Sequence, residues 1–461
     1  MLEELVDDFT TQIARERTRI MKDDAGGKSL GSLTARDIML GLRGTPTLYW
    51  EHSFLGENGL VLRDGRTLAD LQGHSVESLI LLFLTGQTSR GSHELQQALQ
   101  KYYREAQDDS AIYMSVIDSL DNNAPAMTQL SSALLALHGS KSRQGRRLHT
   151  SLSTKELWKD TLQDALYLLT VLPEIVGYIM VQKYGTQSSS STSQRGIGGG
   201  GGGGEYSFAK EVSHHLISRV TGLSGENVQS FLSLYLILHA DHGGGNASAH
   251  TSRLVGSTLA NPFLSLSSAL SSLSGPLHGG ANGEALLWMK KLYRHVSTSS
   301  SRGSEKDSVR QYTRSALNRG EKIPGFGHAI LRQIDPRVVS LLDFAASDRT
   351  LCQHPQVVFL RLALPEVGSV LRERGKVRSP YPNIDSVSGV LLGALAEPDS
   401  QTAEDMNMDM DAYTADLGLL LFSLGRSIGL LSHLVLDRAL GVPLERPDSL
   451  PLGQLVTRSK L

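Results

Sequence analysis

Residues 411–440 read DAYTADLGLLLFSLGRSIGLLSHLVLDRAL, a stretch long and apolar enough to cross a membrane. Two residues decide against that. Arg426 and His433 would lie inside the hydrocarbon, where ionisable side chains are costly unless they face a protein interior. The stretch therefore predicts a helix buried in the core of a folded chain, carrying an arginine kept for function. Residues 156–184 show the same helical periodicity, and most other segments follow it, so an all-α fold is expected. One exception lies near the N-terminus, where LYWEHSFL and GLVL flank the turn residues Gly56 to Gly59 and predict a small β-hairpin.

With 461 residues the chain has length for two domains. Lys plus Arg total 45 against 47 Asp plus Glu, a net charge of -2, so no global basic field points to nucleic acid or a membrane surface as partner. Cations that bind anions must act locally. The single cysteine, Cys352, excludes an intrachain disulfide framework and the multi-cysteine zinc patterns, which suits an intracellular protein. The start, MLEELVDDF, is acidic and amphipathic, unlike a secretory or mitochondrial presequence. The chain ends on Ser459, Lys460 and Leu461, a receptor-read peroxisomal address, so a peroxisomal location in a eukaryotic source is expected, with mitochondrial or cytoplasmic location as alternatives.

Residues 187–204, QSSSSTSQRGIGGGGGGG, satisfy a glycine-rich phosphate pattern trivially, yet no strand precedes them and no P-loop lysine follows. They read as a surface insertion, as do the Ser-rich residues 297–304 and the acidic residues 397–411. Chemistry concentrates elsewhere. Four segments combine His, Arg, Asp and Gly with little bulk: LHADHGGGNASAH (238–250), SGPLHGGANGEAL (274–286), IPGFGHAILRQIDPR (323–337) and SPYPNIDSVSGVLL (379–392). Glycine beside histidine lets backbone and substrate approach closely. Singly, each histidine reads as well as a capped helix end or a hydrogen-bonded core residue.

In this order and spacing, followed by GRSIGLL and VPLERP, the four segments resemble the signature of the citrate synthase family. The resemblance runs from about Arg43 in GLRGT to Pro447. It implies a two-domain helical fold: a large domain over residues 1–278 that includes the insertion, a small mobile domain over 279–388, and a return to the large domain over 389–461. It also implies an acyltransferase that joins the α-carbon of an acyl-CoA to the keto carbon of oxaloacetate and then hydrolyses the thioester. No cofactor or metal is implied, since acyl-CoA is a substrate.

The chemistry fits those residue types. Removing the α-proton of a thioester needs a carboxylate base together with a donor to the developing enolate oxygen. By resemblance, Asp385 is the base, His278 the donor to the thioester carbonyl, and His328 the histidine that protonates the oxaloacetate carbonyl. His278 should act as neutral imidazole, its other nitrogen held by Ser248. Oxaloacetate carries two carboxylates, for which guanidinium forks are natural partners. Arg337, Arg426 and Arg446 match that pocket, with His242 and Asn246 beside them. In the family the last arginine enters from the neighbouring subunit, so a homodimer is expected. Arg43, Arg332 and Lys376 resemble the CoA phosphate contacts, and residues 323–327 the adenine-contacting loop.

Two positions depart from the common eukaryotic text: Gly243 stands where H-E-G-G-N has glutamate, and Gly280 where H-G-L-A-N has leucine. Both remove volume beside site histidines while the oxaloacetate residues are kept. The reading leans to an acyl chain larger than acetyl, as in 2-methylcitrate synthases or the alkylcitrate enzymes of fungal polyketide pathways, with a carrier-protein thioester as a conceivable donor. An ordinary peroxisomal citrate synthase using acetyl-CoA is the alternative. A third reading, an α/β-hydrolase-type esterase, has HGGG at 242–245 and G-x-S-x-G at 425–429, but the acid–histidine order after Ser427 is wrong and the repeated strands are missing. His239, His242 and His250 lack the neighbours of a zinc site.

Overall fold

The computed structural model describes residues 1–22, 27–56, 59–121, 123–139, 156–185, 206–218, 220, 223, 225–298, 304–328, 330–397 and 409–459. The insertion at 187–204, and most of the Ser-rich and acidic stretches at 297–304 and 397–411, lie outside the described residues. Helix Met410–Ala439 occupies the stretch that opened the sequence reading, and Asp409 caps it by accepting from the N–H groups of Asp411 and Ala412. Helix Leu157–Tyr184 packs along it. Both are sheathed by other helices, with 94% and 89% of their most apolar 18-residue windows buried. Their all-round apolarity belongs to a helical core.

Two glycines set how closely Met410–Ala439 crosses the end of helix Glu226–His239. A Cβ on Gly425 would sit 3.0 Å from the carbonyl oxygen of Leu236, and one on Gly429 only 2.3 Å from that of Ala240. Larger residues would force the helices apart. The close crossing lowers Arg426, between the two glycines, onto the segment that follows His239. It also removes the esterase reading: Ser427 lies fully buried in mid-helix and donates its hydroxyl to the carbonyl of Ser423. A nucleophile needs a strand-to-helix elbow, and among the described residues the only sheet is a two-stranded hairpin.

That hairpin pairs Ser53–Gly56 with Gly59–Leu62 in antiparallel register. Its first strand starts later than LYWEHSFL suggests. Trp50 stacks on His433 at 3.5 Å between ring centroids and His52 stacks on Phe83 at 4.4 Å, so the residues before Ser53 turn inward. Apart from it the described fold is all-α. Helices Ala281–Thr298, Glu305–Asn318 and Pro355–Arg374 pack on one another, and Asp385–Leu395 lies against the first and last of them. Asp385–Leu395 also touches Met410–Ala439, across the expected boundary at residue 388.

Candidate active site

The third and fourth segments are zipped together by backbone. The N–H of Gly327 donates to the carbonyl of Tyr381 (3.0 Å) and that of Asn383 to Gly325 (2.9 Å). Gly325 has φ +77°, and a Cβ there would lie 2.7 Å from that of Ser386, so only glycine permits the approach. Asn383 completes the joint: its Nδ2 donates to the Gly327 carbonyl (3.0 Å) and its Oδ1 accepts from the Asp385 N–H (3.1 Å). This fixes His328 and Asp385 relative to each other. Asp385 opens helix Asp385–Leu395, and burial raises its pKa to about 6 despite the opposing charge of Arg337.

The two histidines on either side are held in defined tautomers. Nδ1 of His328 faces the N–H groups of Ile330 (3.1 Å) and Leu331 (3.0 Å), which can only donate, so the ring proton sits on Nε2. Nε2 of His278 receives the Ser248 N–H at 3.3 Å, with the Ser248 hydroxyl at 2.9 Å, which leaves Nδ1 protonated. Ser248 meets that nitrogen through its backbone N–H, while its hydroxyl proton goes to Asn246. Burial lowers both histidines to about 4, with Arg426 adding to the effect at His278 and Arg337 at His328. Near neutral pH each is an uncharged N–H donor.

The oxaloacetate candidates converge on the same place. Arg426 donates from Nε to the His239 carbonyl (3.1 Å) and from Nη1 to Oδ1 of Asn246 (3.0 Å). Asn246 caps helix Ala247–Ser257, and its Oδ1 also accepts from the Ala249 N–H (3.1 Å) and the Ser248 hydroxyl (2.9 Å). Its amide is therefore largely occupied in orienting Ser248 and Arg426. Arg337 is buried and forks onto Asp335, Nη2 to Oδ2 at 2.7 Å and Nε to Oδ1 at 3.0 Å. The His242 ring lies 5.5 Å from that of His328, and burial, reinforced by Arg337, Arg426, His328 and His278, keeps its pKa far below the usual histidine value. One carboxyl group, three neutral imidazoles and two guanidinium groups thus form one cluster.

The remaining candidates stay outside it. Arg446 is exposed beyond Gly441, on a segment whose Glu445 pairs with His250 and Arg253. Arg332 and Lys376 are both exposed, Arg332 just past the loop that carries His328 and Lys376 at the end of helix Pro355–Arg374, next to Val377, which approaches Gly327. Arg43 stands exposed on the turn at residues 41–44. His239 turns inward, with Nδ1 donating to the Tyr235 carbonyl (2.7 Å), and His250 turns outward to Glu445, so the three histidines of the first segment point to three different places.

Gly280 corrects an expectation. A Cβ there would meet the Gly275 carbonyl oxygen at 3.0 Å and the Pro276 Cα at 3.1 Å, so the position faces a tight turn and not spare acyl volume. Gly243 does face open space, but its φ of +75° favours glycine regardless of size. Gly280→Leu is accordingly expected to displace the turn beside His278 and lower kcat/KM for short and long acyl-CoAs alike, roughly tenfold or more. A selective loss with the long chains would restore the volume argument. Sequence reading also missed Asp335 and Asn383. An Asp before Pro336 at a helix start is a recognisable N-cap signal, whereas nothing local marks Asn383.

Residues 41–448 match the family model described as citrate synthase, C-terminal domain. Among curated relatives, the chain is 33% identical to mitochondrial citrate synthase 4 of Arabidopsis thaliana over 97% of its own length and 88% of that protein's. It is 34% identical to the mitochondrial 2-methylcitrate synthase of Fusarium solani, over 95% and 88%. Among solved structures it matches the citrate synthase of Pyrobaculum aerophilum (TM-score 0.67, 22% identity, 93% and 98% covered). It also matches that of Thermoplasma acidophilum in ternary complex with carboxymethyl coenzyme A and oxaloacetate (TM-score 0.66, 18%, 90% and 98%). The relatives correct the peroxisomal expectation: these curated proteins are mitochondrial. Ser459 closes helix Leu452–Ser459, while Lys460 and Leu461 lie outside the described residues. With family match, whole-length relatives and an all-α fold in agreement, the chain belongs to the citrate synthase family and is an acyl-CoA-using enzyme of that type.

Proposed function

We propose that the chain condenses a short acyl-CoA with oxaloacetate and hydrolyses the resulting thioester, giving citrate or a 2-alkylcitrate. The observation that carries this reading is one carboxylate with a pKa near 6 set among imidazoles kept neutral by burial. Asp385 takes the α-proton while the Nδ1–H of His278 donates to the thioester oxygen, so the enolate forms without a full negative charge in a buried site. The Nε2–H of His328 then donates to the keto oxygen of oxaloacetate as the new carbon–carbon bond forms. Arg337 and Arg426 hold its carboxylates, and His242 adds a further donor. Arg332, Lys376 and Arg43 are proposed to meet the CoA phosphates from the rim. Closure of residues 279–388 over the bound keto acid would exclude water from the enolate.

Near 34% identity to a 2-methylcitrate synthase and 33% to a citrate synthase support acetyl and propionyl groups as the donors to compare. The test is free-thiol release with oxaloacetate and a panel of acetyl, propionyl, hexanoyl and longer acyl-CoAs. Thiol release that needs oxaloacetate and is fastest with acetyl or propionyl supports the reading. A maximum at hexanoyl or beyond refutes a short-chain donor.

The base sets the pH profile. Its raised pKa means the reactive carboxylate form is lost as pH falls through about 6, so kcat/KM should drop about tenfold per pH unit below that point. The histidines, near 4, contribute no loss between pH 6 and 8. A profile flat down to pH 5 would contradict Asp385 as base.

The exposure of Arg446 supports a homodimer in which this arginine serves the partner's site. Mixing inactive Arg446→Ala with inactive Asp385→Asn chains should then restore up to about a quarter of wild-type activity, since random pairing leaves one intact site in half the dimers. No recovery after verified subunit exchange would mean that each chain completes its own site with its own Arg446.

A further inference from the structure

Asp241 lies between helix Glu226–His239 and His242 and is 1% exposed. Its carboxylate gathers four donors. Oδ1 accepts the N–H groups of His242 (2.8 Å) and Gly243 (3.3 Å), and Oδ2 accepts the Ser53 hydroxyl (2.6 Å) and the Trp50 indole N–H (3.2 Å). Two of these belong to the substrate loop, and two come from the N-terminal hairpin and the segment just before it, 188 and 191 residues away in sequence. Trp50 is itself closely packed. One ring face stacks on His433, whose Nε2 accepts the Glu51 N–H at 3.2 Å, and a Cβ on Gly244 would lie 2.7 Å from the ring.

We propose that Asp241 is a positioning residue that sets the His242 ring for oxaloacetate by clamping its loop to Trp50 and Ser53. The proposal rests on the condensation reading above. A carboxylate suits the role because each oxygen faces two donors and all four are satisfied at once. An amide would aim its NH₂ at one donor pair and lose both bonds. Gly243, at φ +75°, is also tied within the loop by the Asn246 side-chain NH₂ donating to its carbonyl, whereas the Asp241 carboxylate ties the loop to Trp50 and Ser53. The clamp bears on the keto-acid side, through the His242 N–H and through the charge that Asp241 places near Arg426. The loop that bears His328, the CoA rim and Asp385 are held by the separate backbone zipper at 325–383.

The test measures KM for oxaloacetate and for acyl-CoA, kcat and Tm in the full-length wild type and in Asp241→Asn, Trp50→Phe and Ser53→Ala. Trp50→Phe keeps a ring against His433 and removes the indole N–H together with part of the ring's bulk. Asp241→Asn should raise the oxaloacetate KM roughly tenfold or more, and the two hairpin variants a few-fold each, with acyl-CoA KM within about twofold of wild type. Asp241→Asn combined with Trp50→Phe should cost no more than Asp241→Asn alone, because both remove one clamp. Unchanged oxaloacetate KM in the folded variants overturns the proposal, and so does an equal rise for both substrates, the mark of a generally loosened fold. If Asp241→Asn does not fold, the hairpin variants decide by the same criteria. A wild type without oxaloacetate-dependent thiol release defeats the condensation reading itself, whereas an active wild type with unaltered variants defeats only the clamp.

Discussion

Asp385→Asn should reduce kcat by roughly 10²–10⁴-fold, leave oxaloacetate binding within about twofold of wild type, and yield a more stable protein. The loss follows because an amide cannot accept the α-proton. The gain follows from linkage. The carboxyl pKa is 3.8 by reference and about 6 in the fold, so ionising it costs the native state on the order of 3 kcal/mol. That penalty is absent below the unfolded pKa, grows as pH rises through the window from 3.8 to about 6, and is complete above it. Asparagine carries no such penalty, so the variant's Tm should exceed wild type at pH 7.5, with the difference shrinking as pH falls toward 4. Calorimetry beside steady-state kinetics checks both halves. An active variant removes the proposed base, and an unchanged Tm removes the strain attributed to it.

Arg426→Leu should weaken oxaloacetate binding roughly a hundredfold or more and spare the fold. A buried charge aimed at a substrate carboxylate contributes on the order of 3–5 kcal/mol when its removal leaves the partner unpaired. The fold tolerates the change because Asn246 Oδ1 keeps the Ala249 N–H and the Ser248 hydroxyl, and leucine suits a helix buried on all sides. Isothermal titration with oxaloacetate separates this from a folding defect: heat of binding lost with Tm retained is the expected pair. Unaltered affinity would mean that Arg426 serves only to hold His239 and Asn246.

What the sequence made legible was periodic or carried by chemical text. The two long apolar helices and the hairpin follow from local pattern, while motif named Asp385, His278 and His328 as candidates, which the fold gathers around Arg337 and Arg426. Long-range contacts were not legible. LYWEHSFL alternates like a strand, yet Trp50 leaves it to stack on a histidine of the C-terminal core helix. The tautomers of His278 and His328 depend on backbone N–H groups of Ser248, Ile330 and Leu331, which no side-chain pattern announces. Gly280 shows a different failure. A missing side chain was read as room for substrate, when the backbone of residues 274–276 already fills the place. In the same way GRSIG looked like a nucleophile motif, although its glycines serve a helix crossing and its serine a carbonyl one turn back.

On the proposed reading, Asp385 and the neutral imidazoles make an enolate that attacks oxaloacetate. Oxaloacetate consumption, free-thiol release and product mass are followed together, with acetyl-CoA and propionyl-CoA as donors. One thiol released per oxaloacetate consumed, a tricarboxylate product carrying the acyl carbons, and no thiol release when oxaloacetate is omitted are expected. Thioester hydrolysis at the same rate with and without oxaloacetate, giving only the free acyl acid, would contradict that reading.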